Sequence, residues 1–360
     1  MMKMLMIYFF ALTSPLIAKE TPWQLGPFVR LNEINPVITP DAESSFYCPI
    51  QQREVSWESD HTFNPAAVVR EGKVYLFYRA EDNYGQGIGK HTSRLGIAVS
   101  DDGIHFERNK APVFYPKEDE QYASEWPGGC EDPRIVERDD GTYVMTYTQY
   151  DQKMAQLAVA TSKDLFHWEK HGYVFAESGC PQRWSKSGSI ICRKEGERLI
   201  ATKINGVYWM YWGEKHIYAA ISNDLISWTP LLDENYELYP LLSPRPGKFD
   251  SLLVEPGPPA VLTNEGIVFL YNGKNSRIWG DPNIVAGAYA AGQLLIDAEN
   301  PMKLLERSME PFFRPEMPYE KTGQYADGTV FIEGLVYFQG RWLLYYGCAD
   351  SCVAVAEARP

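Results

Sequence analysis

The sequence predicts an all-β fold, a five-bladed β-propeller, and three observations carry that reading. The first is a strand-like pattern that recurs five times: KVYLFYRAE (73–81), TYVMTY (142–147), VYWMYWG (207–213), IVFLYNG (267–273) and RWLLYYG (341–347). Its copies start 69, 65, 60 and 74 residues apart, and repetition at a fixed long period marks an array of like units. The second is a following element, GIAVSDDG (96–103) with Phe106, AVATSKDL (158–165) with Trp168, and YAAISNDL (218–225) with Trp228. It reads as a strand, a turn made by Ser and Asp, and an aromatic ring folded back on the sheet. The third is composition within the repeats. Each mixes β-branched and aromatic residues between Gly, Asp or Asn turns, as strands do.

The elements follow in order along the chain. Lys3 precedes an almost wholly apolar run, Met4 to Ile17, that ends at Ala18-Lys19-Glu20. That run is too short to span a bilayer comfortably and is flanked like a secretory signal. Residues 1–18 are therefore expected to be a signal peptide, and the mature protein periplasmic or secreted, with no membrane insertion; a buried N-terminal helix is the alternative. Residues 19–360 are expected to form one propeller domain. Pro27 to Ile38 should supply a strand to the last blade. The fourth unit keeps a relaxed second element, YAAGQLLID (289–297), and the fifth ends in VAVAE (353–357). A single blade cannot bury both its faces, so five units must close into a ring. A two-sheet sandwich would leave five similar units unexplained.

Composition narrows the function. The 360 residues hold 34 Lys+Arg against 47 Asp+Glu, a net charge of −13, which offers no basic surface to displace the counterions of a nucleic acid. The six cysteines, Cys48, Cys130, Cys180, Cys192, Cys348 and Cys352, form no CxxC pair. Cys348 with Cys352 and Cys180 with Cys192 are near enough in sequence to pair; buried free thiols are the reading favoured for most of the six. The six histidines have no metal-ligand spacing, with His105 and His167 in the repeated turns. No metal and no cofactor is expected. Gly85–Lys90 is Gly-rich but opens no helix and reads as a flexible loop.

In a propeller the innermost strand of each blade starts near a central funnel. Just before the recurrent strands stand Asn64-Pro65, Asp132-Pro133, Lys186-Ser187-Gly188, Glu255-Pro256 and Asp327-Gly328. Turn chemistry alone favours these residue types. Five together, three of them carboxylates, favour a site. Trp57, Trp126, Trp184, Trp212 and Trp279 are placed in loops near these positions, and aromatic faces beside carboxylates suit a carbohydrate.

At the level of motifs the chain resembles glycoside hydrolase family 130, the β-mannoside phosphorylases and β-1,2-mannosidases. The resemblance rests on HTFNPA (61–66), LFYRAE (76–81), SRLGIA (93–98), CEDPRI (130–135), KINGVY (203–208), Gly257-Pro258-Pro259 and YYGCAD (345–350). It implies a five-bladed propeller. It also implies Asp132 as the catalytic acid, acting directly or through a substrate hydroxyl, and Asn64, Arg79, Arg94 and Asp350 as residues lining the sugar site. Where phosphorylases of the family carry Tyr-His-Gly, this chain has Tyr271-Asn272-Gly273. A Lys they carry before the Gly-Pro-Pro element is missing from Ser251–Glu255. A phosphate dianion needs convergent cations. The resemblance instead matches Glu214 and Glu255 to the two glutamates of the family's exported β-1,2-mannosidases, although Lys186, Lys203 and Arg183 remain able to meet phosphate.

The expected activity is therefore that of an inverting, exo-acting β-mannosidase on β-1,2-linked oligosaccharides. Asp132 is its acid, and Glu214 and Glu255 position and deprotonate water. Asn64, Arg79, Arg94, Lys186, Lys203, Asn272, Tyr289 and Asp350 are the candidate substrate-binding residues. A β-mannoside phosphorylase releasing mannose 1-phosphate is the first alternative, and a non-catalytic carbohydrate-binding propeller the second.

Overall fold

Five antiparallel sheets, each of about four strands, stand around one axis in the computed structural model, which describes residues 23–82, 87–180 and 182–359. The expected signal peptide and residues 85–86 of the Gly-rich stretch lie outside the described residues. The first blade is built from His61–Arg70, Lys73–Glu81, Ser93–Ser100 and Glu107–Arg108. The second runs through Gly129–Glu137, Tyr143–Tyr150, Ala155–Ser162 and Trp168–Tyr173. The third runs through Ser189–Glu195, Val207–Trp212, Tyr218–Ser222 and Trp228–Pro230. In the fourth, Leu253–Pro256 and Ala260–Leu262 form an interrupted inner strand before Ile267–Lys274, Tyr289–Ile296 and Leu304–Arg307. The fifth holds Val330–Phe338, Arg341–Cys348 and Cys352–Ala358.

The outer strand of the fifth blade comes from the other end of the chain. Val29 pairs with Glu357 and Arg30 with Ala356, and Val37 N–H donates to the Val353 carbonyl at 2.8 Å. The expected N-terminal strand is thus in place, and it ties the first described residues to the last. Both faces of most blades are covered by neighbouring blades, which is why the strands read as unbroken apolar runs. Between the first two blades Phe77, Ile97, Met145, Tyr147 and Ala158 form one such layer. Each large side chain so buried contributes about 1.5–3 kcal/mol.

The Ser/Asp signal resolves into one repeated device. At Ser162 the side-chain oxygen accepts from the Leu165 N–H (2.9 Å) and Asp164 accepts from the Phe166 and His167 N–H groups (both 2.8 Å). The Trp168 indole then donates to the Leu165 carbonyl at 2.9 Å. Ser222, Asp224, Leu225 and Trp228 repeat these bonds. The turn forces a positive φ: Leu165 at 75°, Leu225 at 71°, and in the first blade Gly103 at 77°, where glycine takes the conformation without strain. All six cysteines are free, five of them buried. Among the described residues no helix is long and apolar enough to cross a membrane.

Candidate active site

The inner strands do more than line an axis, because three of them carry a bulge where they approach the funnel. Pairing shifts register between Phe63 and Pro65, between Glu131 and Arg134, and between Ile332 and Gly334. Asn64 (φ 45°) and Asp132 (φ 50°) sit in these bulges in the left-handed region, and Ser187 (φ 60°) takes the same conformation in the third blade. A bulge re-aims a side chain that strict alternation would point elsewhere. Here it turns polar groups from successive blades toward one point. In the fifth blade the bulged residue is Glu333, not the expected Asp327. Asp327 lies outside this cavity and pairs with Arg277.

The result is a cavity of about 190 Å³, open on one side. Of the expected residues, Asn64, Arg79, Asp132, Lys186, Glu214, Glu255, Tyr289 and Asp350 line it together. Three lie elsewhere. Arg94 is buried behind the wall, where it pairs with Asp82 at 2.7 Å and stacks over Phe46. Lys203 is exposed, with its ammonium over the Tyr208 ring. Asn272 is fully buried beneath the floor, its amide bound to the Ile332 N–H (2.8 Å) and carbonyl (3.0 Å). Of the five loop tryptophans only Trp184 lines the cavity; Trp57 and Trp212 are core. Sequence reasoning missed Glu81, Glu131, Tyr150, Gln324, Tyr325 and Phe331 in the lining.

Asp132 is 1% exposed and held from three sides. Its Oδ1 accepts from Asn64 Nδ2 (2.8 Å) and Arg79 Nη1 (3.2 Å), and its Oδ2 lies 3.2 Å from the Lys186 ammonium. Lys186 also reaches Glu255 Oε1 at 3.3 Å, so one cation joins two of the three expected catalytic carboxylates. Ser187 donates to the same oxygen of Glu255. Glu214 is half-buried and accepts from the Trp184 indole at 2.9 Å. Arg79 meets Glu81 at 2.6 Å and Glu131 at 2.9 Å in addition to Asp132.

Charge sorts these acids. Burial alone would raise Asp132, but the Lys186 ammonium and the Arg79 guanidinium outweigh it and hold the carboxyl below its ordinary range. Burial raises Glu255, with Lys186 offsetting part of the effect. Glu131, buried beside Arg79 but also beside the Asp132 charge, is pushed up to about 7, and Asp350, for the same causes, to about 7.

Asp350 carries a stability consequence. A carboxyl raised in the folded state contributes stability that is present below the unfolded value near 4 and is lost as pH climbs through 7. Asp350→Asn removes that loss. Its stability is expected to exceed that of wild type at pH 8, by an amount on the order of 2–4 kcal/mol read as a raised melting temperature, and not at pH 4. Equal shifts at both pH values in thermal melts would refute the assignment.

At the rim Asp60, His61 and His91 converge. The His91 Nδ1 already meets the Asp82 carbonyl at 2.7 Å, and the Ser351 hydroxyl meets His61 Nδ1 at 3.2 Å. These bonds make the group a hydrogen-bonded corner between the first and fifth blades.

A propeller funnel gathering carboxylates, two cations and aromatic walls over a cavity of sugar size defines a carbohydrate-active enzyme. The family model for glycoside hydrolase family 130, described as beta-1,4-mannooligosaccharide phosphorylase, matches residues 33–359, and the chain belongs to that family. The 1,2-beta-oligomannan phosphorylase of Thermoanaerobacter sp. (strain X514) is 34% identical over 332 residues, 91% of this chain and 95% of that one. A glycosyl hydrolase from Bacteroides ovatus superposes with a TM-score of 0.93 at 53% identity, covering 95% of this chain and 96% of that one. A second structure, at TM-score 0.93, 53% identity and the same coverage, is described with family members that are glycoside hydrolases targeting beta-1,2 mannosidic linkages in Candida mannan.

Proposed function

We propose that this enzyme hydrolyses β-1,2-linked mannosides from the non-reducing end with inversion, and that export through residues 1–18 brings it to extracellular oligosaccharides. One observation carries the choice of hydrolysis: the two cations that line the cavity, Arg79 and Lys186, are already engaged by carboxylates. Arg79 is shared among three carboxylates and Lys186 between two. Glu81, Glu131, Asp132, Glu214, Glu255 and Asp350 all line the same space. A phosphate dianion entering there would meet excess negative charge, and both cations among the described lining residues are already shared with carboxylates. Water meets no such barrier. The likeness to structures described as hydrolases, at 53% identity, supports the same reading.

In this reading a water held by Glu255 and Glu214 attacks the anomeric carbon as the C1–O glycosidic bond breaks. Its proton passes to Glu255, whose raised basicity suits it to neutral pH. The leaving oxygen takes a proton from Asp132, directly or through a sugar hydroxyl. The Lys186 and Arg79 charges favour the ionised form of Asp132 in the free site, so Asp132 takes up a proton once the sugar is bound, before it delivers one.

A phosphorylase is the second reading, favoured by the name of the Thermoanaerobacter relative, a 1,2-beta-oligomannan phosphorylase. Product analysis on β-1,2-mannobiose with and without inorganic phosphate separates the two. Equal free mannose in both tubes is the expected result. Mannose 1-phosphate formed only with phosphate would overturn hydrolysis.

A further inference from the structure

Beneath the cavity floor lies a buried charged group that does not itself line the cavity. Arg134, two residues after Asp132, is 1% exposed. Its Nε donates to the Gly257 carbonyl and its Nη2 to the Pro256 carbonyl, both at 2.8 Å. Its Nη1 donates to the Asp132 carbonyl at 3.2 Å and stands 2.8 Å from Glu333 Oε1. The guanidinium thus grips the backbone of Asp132 in the second blade and the backbone directly after Glu255 in the fourth. Glu333, in the bulge of the fifth blade, is 0% exposed, and neither of its oxygens accepts another hydrogen bond among the described residues. Burial raises its carboxyl well above the ordinary range, with Arg134 offsetting part of the effect.

A buried ion pair is a poor source of stability, since apolar groups of similar volume often do as well or better. What a planar fork supplies that apolar packing does not is fixed geometry at several acceptors. Resting on the reading that Asp132 and Glu255 flank one reacting bond, we propose that Arg134, seated on Glu333, is the positioning residue that sets the acid against the base across the funnel. The fork spans two elements 123 residues apart in the chain and touches the main chain at or beside each catalytic carboxylate.

The test compares Arg134→Lys, Glu333→Gln and the double variant Arg134→Met/Glu333→Leu. Each is assayed on β-1,2-mannobiose with and without phosphate, so that kcat is read whichever nucleophile the wild type uses. Arg134→Lys loses the fork, and kcat is expected to fall about 30- to 100-fold with KM within about threefold. Glu333→Gln keeps the side chain's shape and an acceptor oxygen for Arg134, and kcat should stay within about threefold. The double variant should melt at or above wild type and still lose about 100-fold in kcat, which a merely structural role would not produce. Wild-type kcat in a double variant of wild-type stability would overturn the proposal. If the double variant does not fold, wild-type kcat in Arg134→Lys would do so. Wild-type turnover that needs phosphate would sink the hydrolase reading alone, since the strut is judged by the ratio of variant to wild type.

Discussion

Asp132→Asn is expected to lower kcat about 10³- to 10⁴-fold while KM changes only a few-fold, the upper range for loss of a general acid. The substitution keeps the shape of the side chain and removes only its ability to hold and give a proton. Its neighbours remain compensated: Arg79 keeps Glu81 and Glu131, and Lys186 keeps Glu255. The fold should therefore survive, and a melting temperature close to wild type is the necessary control. In the wild type, kcat/KM should decline as pH rises through about 7, where Glu131 and Asp350 become charged beside Asp132 and alter the site's electrostatics. A variant within tenfold of wild type would remove Asp132 from the chemistry. A wild type that binds mannosides and turns none over would support the binding-propeller reading instead.

The propeller was legible because five copies of one strand, and three of one turn, sit in the sequence itself. The site was legible only where a turn signal coincided with a bulge. Asn64-Pro65 and Asp132-Pro133 advertise their positions, since Pro breaks the ladder where the chain leaves regular pairing. Glu131 shows what the sequence hides. Alternation would send it to the face opposite Asp132, but the register shift between Glu131 and Arg134 turns both toward the cavity. Arg94 fails in the opposite sense. Its neighbour Ser93 binds Arg79 at 3.0 Å, so strict alternation carries Arg94 into the packing against Phe46. Asn272 stands across from Glu255 in register, yet its amide is taken by the backbone of the fifth blade. Sequence reading placed Arg94 and Asn272 near the site and could not say on which side of the wall each would lie.

Glu255→Gln should be the second large effect, a loss of about 10³-fold in kcat, and it discriminates between the two glutamates. Glu255 is 1% exposed, bound by Ser187 and Lys186, and raised by burial. Glu214 is half-buried and tied to the Trp184 indole. A base must be poised against the nucleophile, and of these two glutamates Glu255 shares a cation, Lys186, with the acid. Glu214→Gln should therefore cost only about 10- to 30-fold, as loss of an orienting contact. Sodium azide supplies the decisive measurement. Azide is a nucleophile that needs no base, so with an activated mannoside it should restore turnover to Glu255→Gln. The bond formed is C1–N, the bond broken is C1–O to the leaving group, and the product is a mannosyl azide of inverted configuration. The variant is also the less hostile host, because replacing Glu255 removes one of the negative charges that repel an anion. Rescue of Glu214→Gln in place of Glu255→Gln would exchange their roles. An azide product of retained configuration would refute inversion, because an anion attacking from the water's position can only invert the anomeric carbon.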